Sequence, residues 1–270
     1  MDSKRRKFLK AATAAAGGAV LAPLLYGLLE RVNPEQVFFG SPPVTSGASA
    51  KRYVWVIDLD RCTGCRKCTE GCQAEMRVAP AWRGQLEYDG KQAWIQVFDL
   101  GDDTFLPLPC QNCQNAPCVK VCPVGATYYS EDHIVLIDQD RCIGCRYCVV
   151  ACPYERRFFN WFDPPVSPDE ATITYSPNYN VPKRKGVAEK CIWCAHRVQN
   201  DTVPACVEAC RKAGMSALWF GDAAEDVVSD GEHVTSLSSM IDRRGAYRLR
   251  DDLGTLPQVL YLPPRGESQQ

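Results

Sequence analysis

Sixteen cysteines in four groups of four constrain this chain more than any other feature. The third group reads Cys142-Ile143-Gly144-Cys145-Arg146-Tyr147-Cys148-Val149-Val150-Ala151-Cys152-Pro153, a C-x2-C-x2-C-x3-C-P run. Cys62, Cys65, Cys68 and Cys72 repeat that spacing. Cys110, Cys113, Cys118 and Cys122 follow C-x2-C-x4-C-x3-C-P, and Cys191, Cys194, Cys206 and Cys210 follow C-x2-C-x11-C-x3-C. Every group opens on C-x2-C and closes on C-x3-C. Three thiolates on one tight loop can hold three irons of a cube, while a fourth, one helical turn further on, points to a neighbouring cube. Four such groups imply four [4Fe–4S] clusters.

Two other chemistries use cysteine in quantity. Zinc takes four thiolates, and C-x2-C knuckles are common zinc ligands. Zinc sites usually join two C-x2-C pairs across a long gap; a third cysteine close behind the second suits a cube better. Disulfides suit an exported chain. Three thiols packed on one loop, however, leave poor geometry for eight separate bridges.

At 270 residues the chain has room for one compact domain or two small ones. Its 31 Lys and Arg against 32 Asp and Glu give a net charge of −1. A nucleic-acid binder would show a basic excess or stripe. Much of the interior must be inorganic, so no stable fold is expected without metal, because ligand binding and folding are coupled at such sites.

Residues 1–32 open with Arg5-Arg6-Lys7-Phe8-Leu9-Lys10 and an apolar run from Ala11 to Leu29. This resembles a twin-arginine (Tat) export signal, read by the Tat translocase. Clusters are inserted in the cytoplasm, and the Tat route carries folded cargo. The same run is long enough to stay as an uncleaved membrane anchor. Residues 33–52 read as a linker, rich in Pro, Ser and Gly.

Val54-Trp55-Val56-Ile57-Asp58 predicts a strand leading into the first cysteine loop. Asp89-Gly90 predicts a hairpin turn, and Ala126 to Asp138 a second short hairpin. A cysteine group, a hairpin and another cysteine group make the pattern of a two-cluster ferredoxin. The predicted fold is therefore α+β: two ferredoxin-like modules, one inserted in the other. Residues 53–109 plus 184–222 form the split outer module, 110–183 the inserted module and its connector, and 223–270 a C-terminal tail with an amphipathic stretch at 227–241. Cys122 and Cys152 precede proline whereas Cys72 and Cys210 do not, which sets the inner pair of groups apart from the outer pair. Crossing of the fourth cysteines then gives four ligand sets. They are Cys110, Cys113, Cys118 with Cys152; Cys142, Cys145, Cys148 with Cys122; Cys62, Cys65, Cys68 with Cys210; and Cys191, Cys194, Cys206 with Cys72.

No substrate site is legible. His133, His196 and His233 are scattered, and the chain has no glycine-rich phosphate loop or nucleophile elbow. The chain is not expected to be an enzyme on its own.

Ile134-Val135-Leu136-Ile137-Asp138-Gln139-Asp140-Arg141-Cys142, Lys190-Cys191-Ile192-Trp193-Cys194 and Phe220-Gly221-Asp222 resemble the four-cluster iron–sulfur subunits of membrane-associated oxidoreductases. That family includes electron-transfer subunits of dimethyl-sulfoxide, polysulfide and nitrite reductases and of hydrogenase-2. The resemblance runs from about Tyr53 to Leu262. A separately exported subunit of this layout is most like the DsrO type of the DsrMKJOP complex, and the NrfC type shares the layout. The resemblance implies periplasmic electron transfer between an NrfD-type integral membrane subunit and a cytochrome c or catalytic redox subunit. It also implies a wire running through groups one, four, two and three, with the third nearest the membrane.

Overall fold

The computed structural model describes residues 51–78, 93–164 and 170–265. The signal and linker readings, and the hairpin at Asp89-Gly90, lie outside these residues.

Strand β1 (Tyr53–Asp58) is buried along its whole length. Its Val, Ile and aromatic side chains suit a strand covered on both faces. The chain then turns into the first cysteine loop and α1 (Lys67–Glu75). A hairpin of β2 (Gln96–Asp99) and β3 (Phe105–Leu108) delivers it to Cys110. Helix α2 (Pro117–Lys120) starts on a proline, which costs nothing where the N–H has no helical partner. The expected second hairpin is present as β4 (Thr127–Tyr129) and β5 (Val135–Ile137), with Thr127 opposite Ile137. Next come α3 (Tyr147–Ala151), the short pair β6 (Phe158–Phe159) and β7 (Ala188–Glu189), α4 (Ala195–Val198) and α5 (Ala205–Lys212).

The remaining chain builds β8 (Leu218–Asp222), β9 (Val227–Ser229), β10 (Val234–Ser236), α6 (Leu237–Asp242) and β11 (Val259–Leu262). The main sheet runs β10-β9-β8-β1-β11. β1 pairs antiparallel with β8 and parallel with β11. The segment expected to be a tail therefore supplies three strands of this sheet. Sequence periodicity does not reveal which distant strands will pair, so the sequence carries no sign of this role.

The period-two alternation of β1 decides what lies on each face. Tyr53, Trp55 and Ile57 point into a core that holds Cys68, Cys72, Cys110 and all four cysteines of group four. Val54 and Val56 face the other way, onto Trp219, Val228, Leu237 and Leu262. A further core gathers Cys113, Cys118 and Cys148 with Val119, Val135 and Ile137. The helices pair off: α1 packs on α5, and α2 on α3. Groups one and four thus share one helix pair, and groups two and three the other. No helix among the described residues is long and apolar enough to cross a membrane.

Candidate metal centres

Groups one and three are built by one recurring turn. Ile57-Asp58-Leu59-Asp60-Arg61-Cys62 returns as Ile137-Asp138-Gln139-Asp140-Arg141-Cys142. In each, the first aspartate accepts from the backbone N–H of the second, at 3.1 Å for Asp58 and 2.9 Å for Asp138. Gly64 and Gly144 both sit at φ 70°, followed by Arg66 and Arg146 in the left-handed region. Glycine takes that conformation without strain. A Cβ on Gly64 would stand 2.5 Å from the Phe105 ring, and one on Gly144 would strike the Gly186 carbonyl. This internal repeat was open to detection by aligning the chain with itself, yet cysteine spacing alone hides the aspartates that shape the loop.

Groups two and four use other turns. Asn112 is left-handed, and its side chain donates to the His133 carbonyl at 3.1 Å and accepts from Val135 N–H at 2.6 Å. Trp193 Nε1 donates to the Cys110 carbonyl at 2.8 Å, tying the group-four loop to group two.

Cys110, Cys113, Cys118 and Cys152 line one cavity. Cys122, Cys142, Cys145 and Cys148 line a second. In the outer half, the neighbouring thiols that act on Cys68 are Cys210 and Cys62. Those acting most strongly on Cys72 are Cys191 and Cys194, and those on Cys206 are Cys194, Cys72 and Cys191. Cys65 is the next neighbour of Cys62 after Cys210. Between these gatherings there are few links: Cys68 with Cys72 and Cys206, Cys110 with Cys191, and Cys118 with Cys148.

Burial pushes the thiols up. Cys68, Cys113 and Cys194 are raised to about 12, and Cys191 to about 11, with adjacent thiols adding to the effect. A free thiol here stays protonated at neutral pH, so loading with metal must displace protons. Backbone N–H groups also aim at sulfur: Ala126 and Thr127 donate to Cys122 Sγ at 3.2 and 3.4 Å. At Cys210, donation from Ala217 and Leu218 opposes the upward push of burial.

All sixteen cysteines are free thiols. Among the described residues, no three His, Cys, Asp or Glu side chains converge as a single-ion site requires. The thiols instead stand around voids, with N–H donors turned toward sulfur. That donor set fits a polynuclear iron–sulfur group, whose sulfurs accept such bonds.

The profile of the 4Fe-4S dicluster domain matches residues 102–167 and 169–222. The chain is 34% identical to the Hdr-like menaquinol oxidoreductase iron-sulfur subunit 1 of Archaeoglobus fulgidus, over 97% of this chain and 99% of that one. It is 38% identical to the menaquinone reductase iron-sulfur cluster-binding subunit of Nitratidesulfovibrio vulgaris, over 78% and 88%. A tetrathionate reductase subunit of Salmonella typhimurium is 35% identical, over 97% and 89%. The chain belongs to the iron–sulfur subunits of membrane-associated oxidoreductases.

Four buried cations of this iron–sulfur subunit, Arg156, Arg157, Lys183 and Lys190, had no signal in cysteine spacing. Arg156 donates to the Tyr154 carbonyl and to Gln96 Oε1, both at 3.0 Å. Lys183 Nζ lies 3.9 Å above the Trp94 ring and 3.9 Å from Glu189 Oε1. Lys190 Nζ donates to the Cys191 carbonyl at 2.6 Å and to the Val135 carbonyl. Arg157 lines the first cavity and donates to Thr127 Oγ1 at 3.1 Å. Lysine and arginine are rarely buried without partners, so their placement belongs to the electrostatics of the site.

Proposed function

We propose that this subunit carries electrons through four [4Fe–4S] clusters. It works at the periplasmic face, between an NrfD-type quinone-reactive membrane subunit and a cytochrome c or catalytic redox partner. The observation that carries this reading is the succession of the cysteines. The links Cys68–Cys206, Cys191–Cys110 and Cys118–Cys148 string the groups end to end, as one, four, two and three.

The ligand sets are Cys62, Cys65, Cys68 and Cys210; Cys191, Cys194, Cys206 and Cys72; Cys110, Cys113, Cys118 and Cys152; and Cys142, Cys145, Cys148 and Cys122. When bound, each cluster supplies a one-electron redox centre whose potential depends on charge, hydrogen bonding and exposure. The protein contributes what surrounds it. Thiolates fix the positions, apolar neighbours such as Trp55, Val135 and Ile137 exclude water, and N–H groups stabilise charge on sulfur.

The two ends of the succession differ in surface chemistry. Group three presents Ile143, Tyr147 and Val150 to solvent, 64%, 63% and 87% exposed, with Trp161 and Phe162 also exposed. The matching positions of group one are Thr63, Lys67 and Glu70, the last two ion-paired at 2.7 Å. A contiguous apolar surface marks a docking site. This favours group three as the end that meets the membrane subunit and group one as the end that meets a polar partner. Relatives named for menaquinol and menaquinone chemistry support a quinone-linked partner, with a DsrO-like subunit as the reading and an NrfC-like one as the alternative. Arg5 and Arg6 support export by the Tat translocase.

The test transplants one face onto the other. The triple variant Ile143→Thr, Tyr147→Lys, Val150→Glu should retain iron and chemical reducibility yet lose quinol-linked reduction in membranes that hold the partner. Undiminished quinol-linked reduction in that variant would contradict the docking assignment.

A further inference from the structure

Arg157 stands five residues past Cys152, at the edge of β6. It is 4% exposed. Nη1 is tethered to Thr127, while Nε and Nη2 have no nitrogen or oxygen partner. Among the described residues, no carboxylate forms an ion pair with it. A buried cation without a counter-ion is strongly unfavourable unless negative charge is close at hand.

The groups around it supply that charge. Arg157 lines the cavity of Cys110, Cys113, Cys118 and Cys152. It also acts on Cys148, which lines the other cavity of the inserted half. The side chain therefore lies at the Cys118–Cys148 link between the two cysteine sets of the inserted half. Lys183 offers a contrast, because it already has Glu189 and the Trp94 ring as partners.

We propose that Arg157 is a positioning residue for electron transfer, its fixed charge lodged between the two cysteine sets of the inserted half so that it stabilises the reduced form of the cluster in each. This rests on the ligand sets proposed above. Adding an electron makes a cluster more negative, so a cation held in low dielectric favours the reduced state of both neighbours. A charge shared by two neighbours shifts both in the same direction and so leaves the step between them little changed. The guanidinium is suited to the role because its fixed fork of donors can face Thr127 and the cysteine sulfurs at once while it keeps its charge.

The experiment is a redox titration of the full-length holoprotein followed by electron paramagnetic resonance, on the wild type, Arg157→Met and Arg157→Lys. Iron and sulfide content of the wild type checks the cluster reading independently. With all variants fully loaded, Arg157→Met should lower two of the midpoint potentials by at least a tenfold change in the reduction equilibrium, about 59 mV for one electron. The remaining midpoints should hold, and Arg157→Lys should keep all of them near wild type. Midpoints of Arg157→Met unchanged within twofold would overturn the proposal, as would an equal shift in every cluster. If Arg157→Met loses iron, Arg157→Gln replaces it, since glutamine can still bond to Thr127. Iron loss in both neutral variants with full loading of Arg157→Lys supports the need for charge. Iron loss in Arg157→Lys as well would mean that shape, not charge, is what the site requires, and would overturn the proposal.

Discussion

Gly71 on α1 lies directly against Ala209 on α5: a Cβ at residue 71 would stand 2.6 Å from the Ala209 Cβ and 3.2 Å from the Ala205 carbonyl oxygen. The two helices carry the closing cysteines of groups one and four, Cys72 and Cys210. Their close approach brings Cys72 beside Cys191 and Cys194, and Cys210 beside Cys62 and Cys68.

Gly71→Ala is therefore predicted to destabilise the protein. Helix propensity alone would favour alanine by about 1 kcal/mol. Overpacking a tight contact costs about 1–3 kcal/mol, so the clash should win. Chemical unfolding of the holoprotein checks the sign: the variant should unfold at lower denaturant. A more stable variant would mean that the helices do not meet at this point.

The same helices are bridged by ions through Arg197 of α4. Arg197 Nη1 meets Glu75 Oε2 at 3.0 Å, its Nη2 meets Glu208, and His196 Nε2 meets Glu75 Oε1 at 2.7 Å. Burial pushes the Glu75 carboxyl up, but His196 and Arg197 together hold it below its usual value. Arg197→Met leaves two half-buried carboxylates short of a partner and should cost about 1–3 kcal/mol. The unfolding free energy at neutral pH measures it. A loss under a few tenths of a kcal/mol would show that solvent satisfies these carboxylates.

Asp230 sets a pH dependence. Burial raises its pKa, but the N–H groups of His233 and Glu232, at 2.8 and 3.0 Å, together with Ser216, overcome that and hold it at about 2. A depressed carboxylate stabilises the fold above its unfolded value near ~4 and loses that contribution as pH falls toward the folded value. Wild type should exceed Asp230→Asn in stability by about 1–2 kcal/mol at pH 7. The gap should narrow below about pH 4. A gap independent of pH would remove titration of Asp230 as its cause.

Some of this architecture was legible in sequence because it is local. The strand at 54–58 and the hairpin at 126–138 follow from alternating apolar residues and turn residues. The cysteine groups were visible because ligand spacing is dictated by the loop that carries them. What escaped depends on contacts between distant segments. Strand β11 pairs with β1 in parallel, with Trp55 opposite Val259, and nothing near residue 259 announces that partner. Arg157, Lys183 and Lys190 look like ordinary surface cations until the fold encloses them. The stretch at 227–241 is amphipathic in sequence, yet it divides into β9, β10 and α6 because the turn at Asp230–His233 interrupts it.

Export gives a prediction that depends only on the N-terminus. Changing Arg5 and Arg6 together to lysine should leave the protein in the cytoplasm, cluster-loaded and folded. Cell fractionation with antibody detection reads the outcome. Undiminished periplasmic protein would refute the Tat assignment.

The central claim is that the sixteen cysteines hold four cubes. Its most direct test is iron and acid-labile sulfide analysis of the anaerobically purified full-length chain, with zinc measured in the same sample. Four cubes predict about sixteen irons and sixteen sulfides per chain, with zinc negligible. Eight irons or fewer, or zinc in place of iron, would contradict the account.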